Sequence, residues 1–217
     1  MAAGHSMTGR TAAAVKVDTV VFDVGNVLIR WDIHNLYRKM FPSDAAIKQF
    51  LDETGLMIRN HEFDRGELFE TGLAELTRRF PRYAKPLAAF DQRWEECLDG
   101  AVNGNVALLR EFKQAGVPVH AITNFNQYKF RYAQTLFPFL REFDEAVVSG
   151  EERLIKPDPA IYQVLLQRRG LSAAQCVFID DVAANIETAQ ALGFQTVHFL
   201  EGQTDARAEF RALGLPV

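Results

Sequence analysis

The 217-residue chain has only two cysteines, Cys97 and Cys176, far apart and without metal-ligand spacing. That excludes a disulfide framework and leaves two buried thiols in a reducing, cytoplasmic setting as the expectation. No apolar run approaches the roughly 20 residues that span a bilayer, so no membrane partner is expected. There is no basic excess either: 24 Lys and Arg against 28 Asp and Glu give a net charge of -4, which provides no electrostatic footprint for nucleic acid. Internal repeats and low-complexity segments are missing. Residues 1–16 are rich in Ala, Gly, Ser and Thr and lack the apolar stretch of a signal peptide, so they are expected to form a flexible tail. What is present is ordinary for a globular protein, with 48% hydrophobic and 24% charged residues. That is enough for one sizeable core and an insertion, as a monomer or a homodimer.

One run stands out. Thr19-Val20-Val21-Phe22 ends in Asp23, and Gly25 follows two residues later, where a glycine permits tight backbone geometry. An unpaired carboxylate is expensive to bury, so an acid closing an apolar strand reads as a working group or as the cap of the following turn.

Four further β-like runs lie at Val117–Ile122, Glu145–Val148, Cys176–Ile179 and Gln195–Phe199. Helical patterns separate them: Val106, Leu109 and Phe112 before Gly116; Ile161, Val164 and Leu165 before Gly170; Ile186, Ala189 and Leu192 before Gly193. Alternation of this size predicts an α/β fold, a Rossmann-like parallel sheet covered by helices on both faces. Between Asp32 and Asn103 no buried strand is legible. Leu36, Met40, Ile47, Phe50, Leu73, Leu76, Leu87 and Phe90 follow helical spacing there, punctuated by Pro42, Gly55, Gly66 and Pro81. The expected organisation is a core of residues 17–33 and 101–217 with a helical cap, 34–100, inserted after the first strand. Ligands of such sheets bind outside the carboxyl ends of the strands, and Asp23, Thr123 and Asp180 all fall at such ends.

Four elements therefore follow one another in order: Asp23 with Gly25; Thr123-Asn124; Lys156 ahead of Pro157-Asp158-Pro159; and Asp180-Asp181 before a helix carrying Asn185. Together they resemble the haloacid dehalogenase superfamily of aspartate-nucleophile hydrolases, over nearly everything from Val17 onward. The Asp-x-Gly-Asn-Val-Leu pattern is similar to that of bacterial phosphatases acting on sugar 1-phosphates. Thr-Asn and Asp-Asp-x-x-x-Asn also resemble the phosphatase domain fused to some epoxide hydrolases.

The resemblance implies a Mg²⁺-dependent phosphatase of a small phosphorylated metabolite. Asp23 would be the nucleophile that forms an aspartyl-phosphate. Thr123 and Asn124 would donate to the phosphate, and Lys156 would neutralise its charge and pair with Asp23. Asp23, the Gly25 carbonyl and one acid of Asp180-Asp181 would hold the metal, with Asp181 favoured as direct ligand and Asp180 as its hydrogen-bonding neighbour. Bland readings stand beside these: Thr, Asn and the Asp pair all cap helices routinely, and a lysine before proline is usually solvated. In the cap, Asn60–Glu67 is the densest polar stretch, and either Arg65 or His61 faces the substrate or the stretch is a solvated helix end. Trp31 and Trp94 either flank a pocket or belong to the core.

Gly25 departs from the family's pattern. Most phosphatases of the superfamily carry an Asp there that protonates the leaving oxygen, a function generally worth about 10²–10⁴-fold. Asp32, His61 or a metal-bound water are candidate substitutes. The alternatives are a 2-haloacid dehalogenase, which also lacks that Asp but needs no metal pair; a phosphonate hydrolase, which would need a Schiff-base lysine such as Lys39 or Lys48; and a weakly active relative that binds a phosphometabolite.

Overall fold

The computed structural model describes residues 16–217, so all but the last residue of the expected N-terminal tail lies outside the described residues. In chain order the elements are β1 (Thr19–Phe22), β2 (Ile29–Trp31), α1 (Ile33–Tyr37), α2 (Asp44–Thr54), α3 (Leu56–Asp64), α4 (Phe69–Arg79), α5 (Ala84–Gln92), β3 (Leu98–Ala101), α6 (Asn103–Gln114), β4 (Val119–Thr123), α7 (Gln127–Leu136), β5 (Glu145–Val148), α8 (Ser149–Glu152), α9 (Pro159–Arg169), β6 (Cys176–Asp180), α10 (Ala183–Ala191), β7 (Gln195–His198) and α11 (Ala206–Ala212). Short 3₁₀ turns fill several of the connections.

Five strands form one parallel sheet in the order β5-β4-β1-β6-β7. Alternate side chains of each central strand serve opposite faces, as strand geometry requires. Val20 and Phe22 of β1, with Val177 and Ile179 of β6, join one apolar cluster. Val21, Cys176 and Phe178 join the other, against Ile161 and Leu165 of α9 and Ile186 of α10. Both faces are covered, which is why these strands read as continuous apolar runs. The chain winds outward in both directions from β1, so the crevice above β1, β4 and β6 is the switch point where such sheets bind ligands. The helix stops follow the sequence: Gly170 takes a left-handed φ of 61° at the end of α9, and Asp158 caps its start by accepting from the Ala160 amide at 2.9 Å.

The interval without a legible buried strand contains one short strand, β3, whose partner β2 lies just before the interval. β2 and β3 are antiparallel and form a separate two-stranded ribbon. They escape sequence reading because they are three and four residues long and largely not buried, and β3 contains Asp99 and Gly100, both poor strand formers. The helices α1–α5 run between the two ribbon strands, so the expected boundary at residue 100 falls inside β3. Their apolar faces (Leu36, Phe50, Phe63, Leu76, Phe90) share a cluster with the sheet face that holds Phe22.

Contact between these helices and the sheet layer is close at the turn after α3. Gly66 has φ +96°, and a Cβ there would lie 2.5 Å from the Gly150 carbonyl oxygen. Both the backbone conformation and the approach require glycine. Gly66→Ala is expected to destabilise the fold by roughly 1–3 kcal/mol. A thermal melt checks this, and an unchanged midpoint would mean the turn relaxes freely.

Candidate active site

Asp23 follows β1 directly, and its backbone amide still bonds to the Ile179 carbonyl of β6 at 2.9 Å, so the residue is fixed by the sheet itself. Its carboxylate is held on one side only. Oδ1 accepts from the Val24 amide at 2.7 Å and pairs with Lys156 Nζ at 2.8 Å, while no donor among the described residues reaches Oδ2. Lys156 is buried and also donates to Asp180 Oδ2 at 2.6 Å. Asp180 is fully buried, and both of its oxygens are engaged: Oδ1 by the Val182 amide and Asn185, Oδ2 by Lys156 and Asn185. Asp181 differs. It is half-buried, and Asn26 Nδ2 donates to its Oδ2 at 3.4 Å.

Three carboxylates thus surround one ammonium. Burial pushes the Asp23 carboxyl well above the usual carboxylate range; Lys156 opposes the shift, and Asp180 and Asp181 reinforce it by repulsion. Burial and the neighbouring Asp180 raise Asp181 as well. The Asp180 and Asp23 charges more than offset burial at Lys156 and hold it charged. Such an excess of negative charge favours a cation. Asp23, Asp180 and Asp181 can each bring an oxygen to within 4.8 Å of the others. With Asp180 saturated by donors, the oxygens open to an ion are Asp23 Oδ2, the Asp181 carboxylate and the Gly25 carbonyl, which accepts no hydrogen bond among the described residues. An all-oxygen set of this kind fits a hard divalent cation.

Gly25 itself is not demanded by the backbone. A Cβ at this position would meet nothing within 4 Å, and it is the next residue, Asn26, that takes the left-handed φ of 53°. The tight geometry expected of Gly25 therefore belongs to Asn26. The Asn26 side chain fixes the turn, its Oδ1 accepting from the Trp31 amide at 2.9 Å while its Nδ2 reaches Asp181.

A cavity of about 260 Å³ opens in front of Asp23. Asp23, Gly25, Asn26, Asn124 and Asp181 line it at the strand ends; Asn60, His61 and Asp64 line it from α3; Trp31, Met57, Phe69, Trp94 and Phe125 contribute apolar wall. The two tryptophans thus do flank a pocket.

Several expected phosphate ligands behave differently. Asn124 lines the cavity, but its amide is committed to the Lys156 backbone, accepting from Lys156 N at 2.7 Å and donating to Lys156 O at 3.0 Å. It positions the lysine rather than presenting a free side-chain donor. The Thr123 hydroxyl is fully buried and has no partner among the described residues, an orphaned donor at the end of β4. Arg65 is not among the lining residues; it is exposed and paired with Glu62 at 2.9 Å, because it follows the last turn of α3 on the solvent side. Asp32 is likewise outside the cavity wall, capping α1 through the His34 amide at 2.8 Å. Lys39 and Lys48 are exposed and paired with Glu96 and Asp52.

Three contributors had no signal of their own in the sequence. Asn126 ties α3 to the loop after β4, donating to the Phe63 and Glu67 carbonyls at 2.8 and 3.1 Å. Lys129 pairs with Asp91 at 2.6 Å and sits over the rings of Phe69 and Trp94. Asp64 lies in the polar stretch of α3, where one carboxylate among many does not stand out.

The chain is 28% identical over 220 residues to mouse (Mus musculus) acyl-CoA dehydrogenase family member 10, a match covering 96% of this chain but only 20% of that protein. It is 26% identical over 185 residues to a sesquiterpene phosphatase of Aspergillus oryzae, covering 83% of this chain and 89% of the relative. In fold it matches an enzyme of Bacteroides thetaiotaomicron solved with magnesium and inorganic phosphate, at a TM-score of 0.70 and 22% identity over 88% of this chain and 98% of that one. The haloacid dehalogenase-like hydrolase family model matches residues 17–193, the stretch that brings Asp23, Lys156 and the Asp180-Asp181 pair together at the strand ends. The chain belongs to the haloacid dehalogenase-like hydrolases.

Proposed function

We propose that this hydrolase is a Mg²⁺-dependent phosphatase acting on the phosphate monoester of an alcohol with a largely apolar body. The observation that carries the reading is the asymmetry at Asp23: one oxygen anchored by Lys156 and Val24, the other open beside Asp181 at the cavity floor. A carboxylate fixed in that way is prepared for in-line attack on phosphorus. Lys156 holds the nucleophile's orientation and places positive charge next to the site of attack. The Thr123 hydroxyl, buried without a partner among the described residues and not part of the cavity lining, is the kind of donor an ordered water satisfies. Mg²⁺ held by Asp23, the Gly25 carbonyl and Asp181 would neutralise phosphate charge, with Asp180 keeping Lys156 and the helix start in place. The sesquiterpene phosphatase and the magnesium-phosphate complex among the similar proteins support this reading.

The wall of the cavity bears on the substrate. Trp31, Met57, Phe69, Trp94 and Leu98 offer few partners for hydroxyl groups, and sugar hydroxyls placed against them, away from Asn60, His61 and Asp64, would be left unpaired at roughly 1–3 kcal/mol each by protein mutational data. An apolar alcohol phosphate is favoured over the sugar phosphate suggested by the first motif. Dehalogenation is compatible with Gly25, but it leaves the Asp23-Asp181 pair, with its open oxygens, without a use.

The test is phosphate release from long-chain alkyl and prenyl monophosphates and from hexose phosphates, with Mg²⁺ or with EDTA, alongside halide release from 2-chloropropionate. Mg²⁺-dependent turnover highest on the apolar esters is the expected result. Phosphate release that survives EDTA would overturn the metal assignment, faster hexose phosphate turnover the substrate class, and halide release the reaction.

A further inference from the structure

We infer that Asp64, reaching the cavity from α3, is the proton donor and acceptor of the reaction, the part that Gly25 cannot perform. This rests on the phosphatase reading above. Gly25 and Asp64 line one cavity with Asp23, so a group on the α3 side faces an ester whose phosphorus is at the strand ends. Of the acids that line this cavity, Asp23 and Asp181 belong to the charged floor, and Asp64 stands apart from them.

Its placement is built. Asn60, one turn earlier on α3, donates to Asp64 Oδ2 at 3.1 Å. The Ser149 hydroxyl donates to the Asp64 carbonyl at 2.6 Å and accepts from the Phe125 amide at 2.8 Å. With the Asn126 bonds to the Phe63 and Glu67 carbonyls, the end of α3 is fastened to the loop that follows β4. No cation pairs with the Asp64 carboxyl among the described residues; Lys129, the cationic residue of the cavity wall, is occupied by Asp91. Burial pushes the carboxyl up to about 7, with the Asn126 main-chain amide pulling the other way. It can therefore hold a proton near neutral pH and release it, the range a general acid–base group needs. The remaining titratable residue of the α3 side, His61, is exposed.

A carboxylate oxygen of Asp23 forms a bond to phosphorus while the ester P–O bond breaks, and the departing alkoxide takes the Asp64 proton to leave as the alcohol. Water then attacks the phosphorus of the aspartyl-phosphate. Asp64 takes its proton, the Asp23–phosphorus bond breaks, and inorganic phosphate and the starting enzyme are regenerated.

Asp64→Asn keeps the shape and the Asn60 contact but cannot donate an acidic proton. The folded-state pKa is raised, so ionising Asp64 loses stability as pH rises toward and through about 7. The variant is accordingly expected to melt no lower than the parent at pH 8. With an alkyl phosphate, whose alkoxide needs the proton, turnover should fall by about 10²–10⁴-fold. With p-nitrophenyl phosphate, whose phenolate leaves unaided, formation of the aspartyl-phosphate should fall less than about tenfold, and the covalent enzyme should accumulate. The parent's rate of aspartyl-phosphate formation on the alkyl ester should decline above pH about 7, and that limb should vanish in the variant. Equal losses in the rate of aspartyl-phosphate formation on both esters, or an unchanged pH limb, would overturn the assignment. A folded parent that releases phosphate from neither ester would overturn the phosphatase reading, and this assignment with it.

Discussion

Asp23→Asn is expected to remove turnover, by on the order of 10⁴–10⁶-fold, without lowering thermal stability. The size of the loss follows from what the residue does. A nucleophile whose covalent intermediate divides the reaction in two has no partial substitute, and removing such a group from an established catalytic set has effects of this order. The amide that replaces it is a poor nucleophile and a poor ligand for a hard cation, so both functions assigned to the Asp23 carboxylate disappear together. Stability should move the other way. The folded-state carboxyl is raised by burial and by repulsion from Asp180 and Asp181, so its ionised form loses stability as pH rises through the folded value. An uncharged Asn removes that loss and can still accept from Val24 and Lys156. The measurements are phosphate release, a melt at pH 8, and mass spectrometry for a covalent phosphoenzyme. Residual turnover above about one per cent would place the nucleophile elsewhere.

Lys156→Ala is expected to damage both stability and activity. Lys156 Nζ is the shared partner of Asp23 at 2.8 Å and Asp180 at 2.6 Å, all three side chains being buried. Removing one member of a buried ion pair generally costs roughly 3–5 kcal/mol, because the remaining charge is left without compensation. Here two carboxylates are left. For a chain of this length each kcal/mol shifts the melting point by about 2–4 °C, so a fall of roughly 6–20 °C is expected. The sign with pH follows. Lys156 opposes the rise at Asp23, so without the ammonium the Asp23 carboxyl is pushed further up in the folded state, and the deficit shrinks in acid and grows as pH rises. Added Mg²⁺ should recover part of the loss, since a ligand that binds only the folded state stabilises it by mass action. A variant that melts with the parent at pH 8 would show that Asp180 and Asp23 do not depend on this lysine.

Both expectations rest on residues that were legible before any fold was known. Asp23, Lys156 and the Asp180-Asp181 pair were visible because an acid ending an apolar strand contradicts its surroundings, and because strand ends in such sheets converge. The polar stretch Asn60–Glu67 was visible as a group, but its members were not separable. Arg65 and Asp64 are adjacent in sequence, yet one is paired with Glu62 on the surface and the other faces the cavity. A helix turns by about 100° per residue, so neighbouring side chains point to different surroundings, and only the packing of α3 against the loop after β4 decides which is which. Asn124 shows the same limit in a different way. Its position at the strand end was expected, but its engagement with the Lys156 backbone links residues 32 positions apart. β2 and β3 illustrate a third case, strands too short for periodicity to register and formed because each finds the other across the helices between them.

By itself, then, the amino-acid order determined the α/β architecture, the inserted helices and the identity of the charged groups at the strand ends. These follow from local periodicity and from the high free-energy cost of isolated buried charge, both readable within a few residues. Tertiary structure alone decided which oxygen of Asp23 is open, that Asp180 is saturated while Asp181 is not, that Gly25 has room it does not use, and that Asp64 faces the cavity. Each depends on distances between segments far apart in the chain, and hydrogen-bond geometry at that range is fixed by packing and not by sequence neighbours.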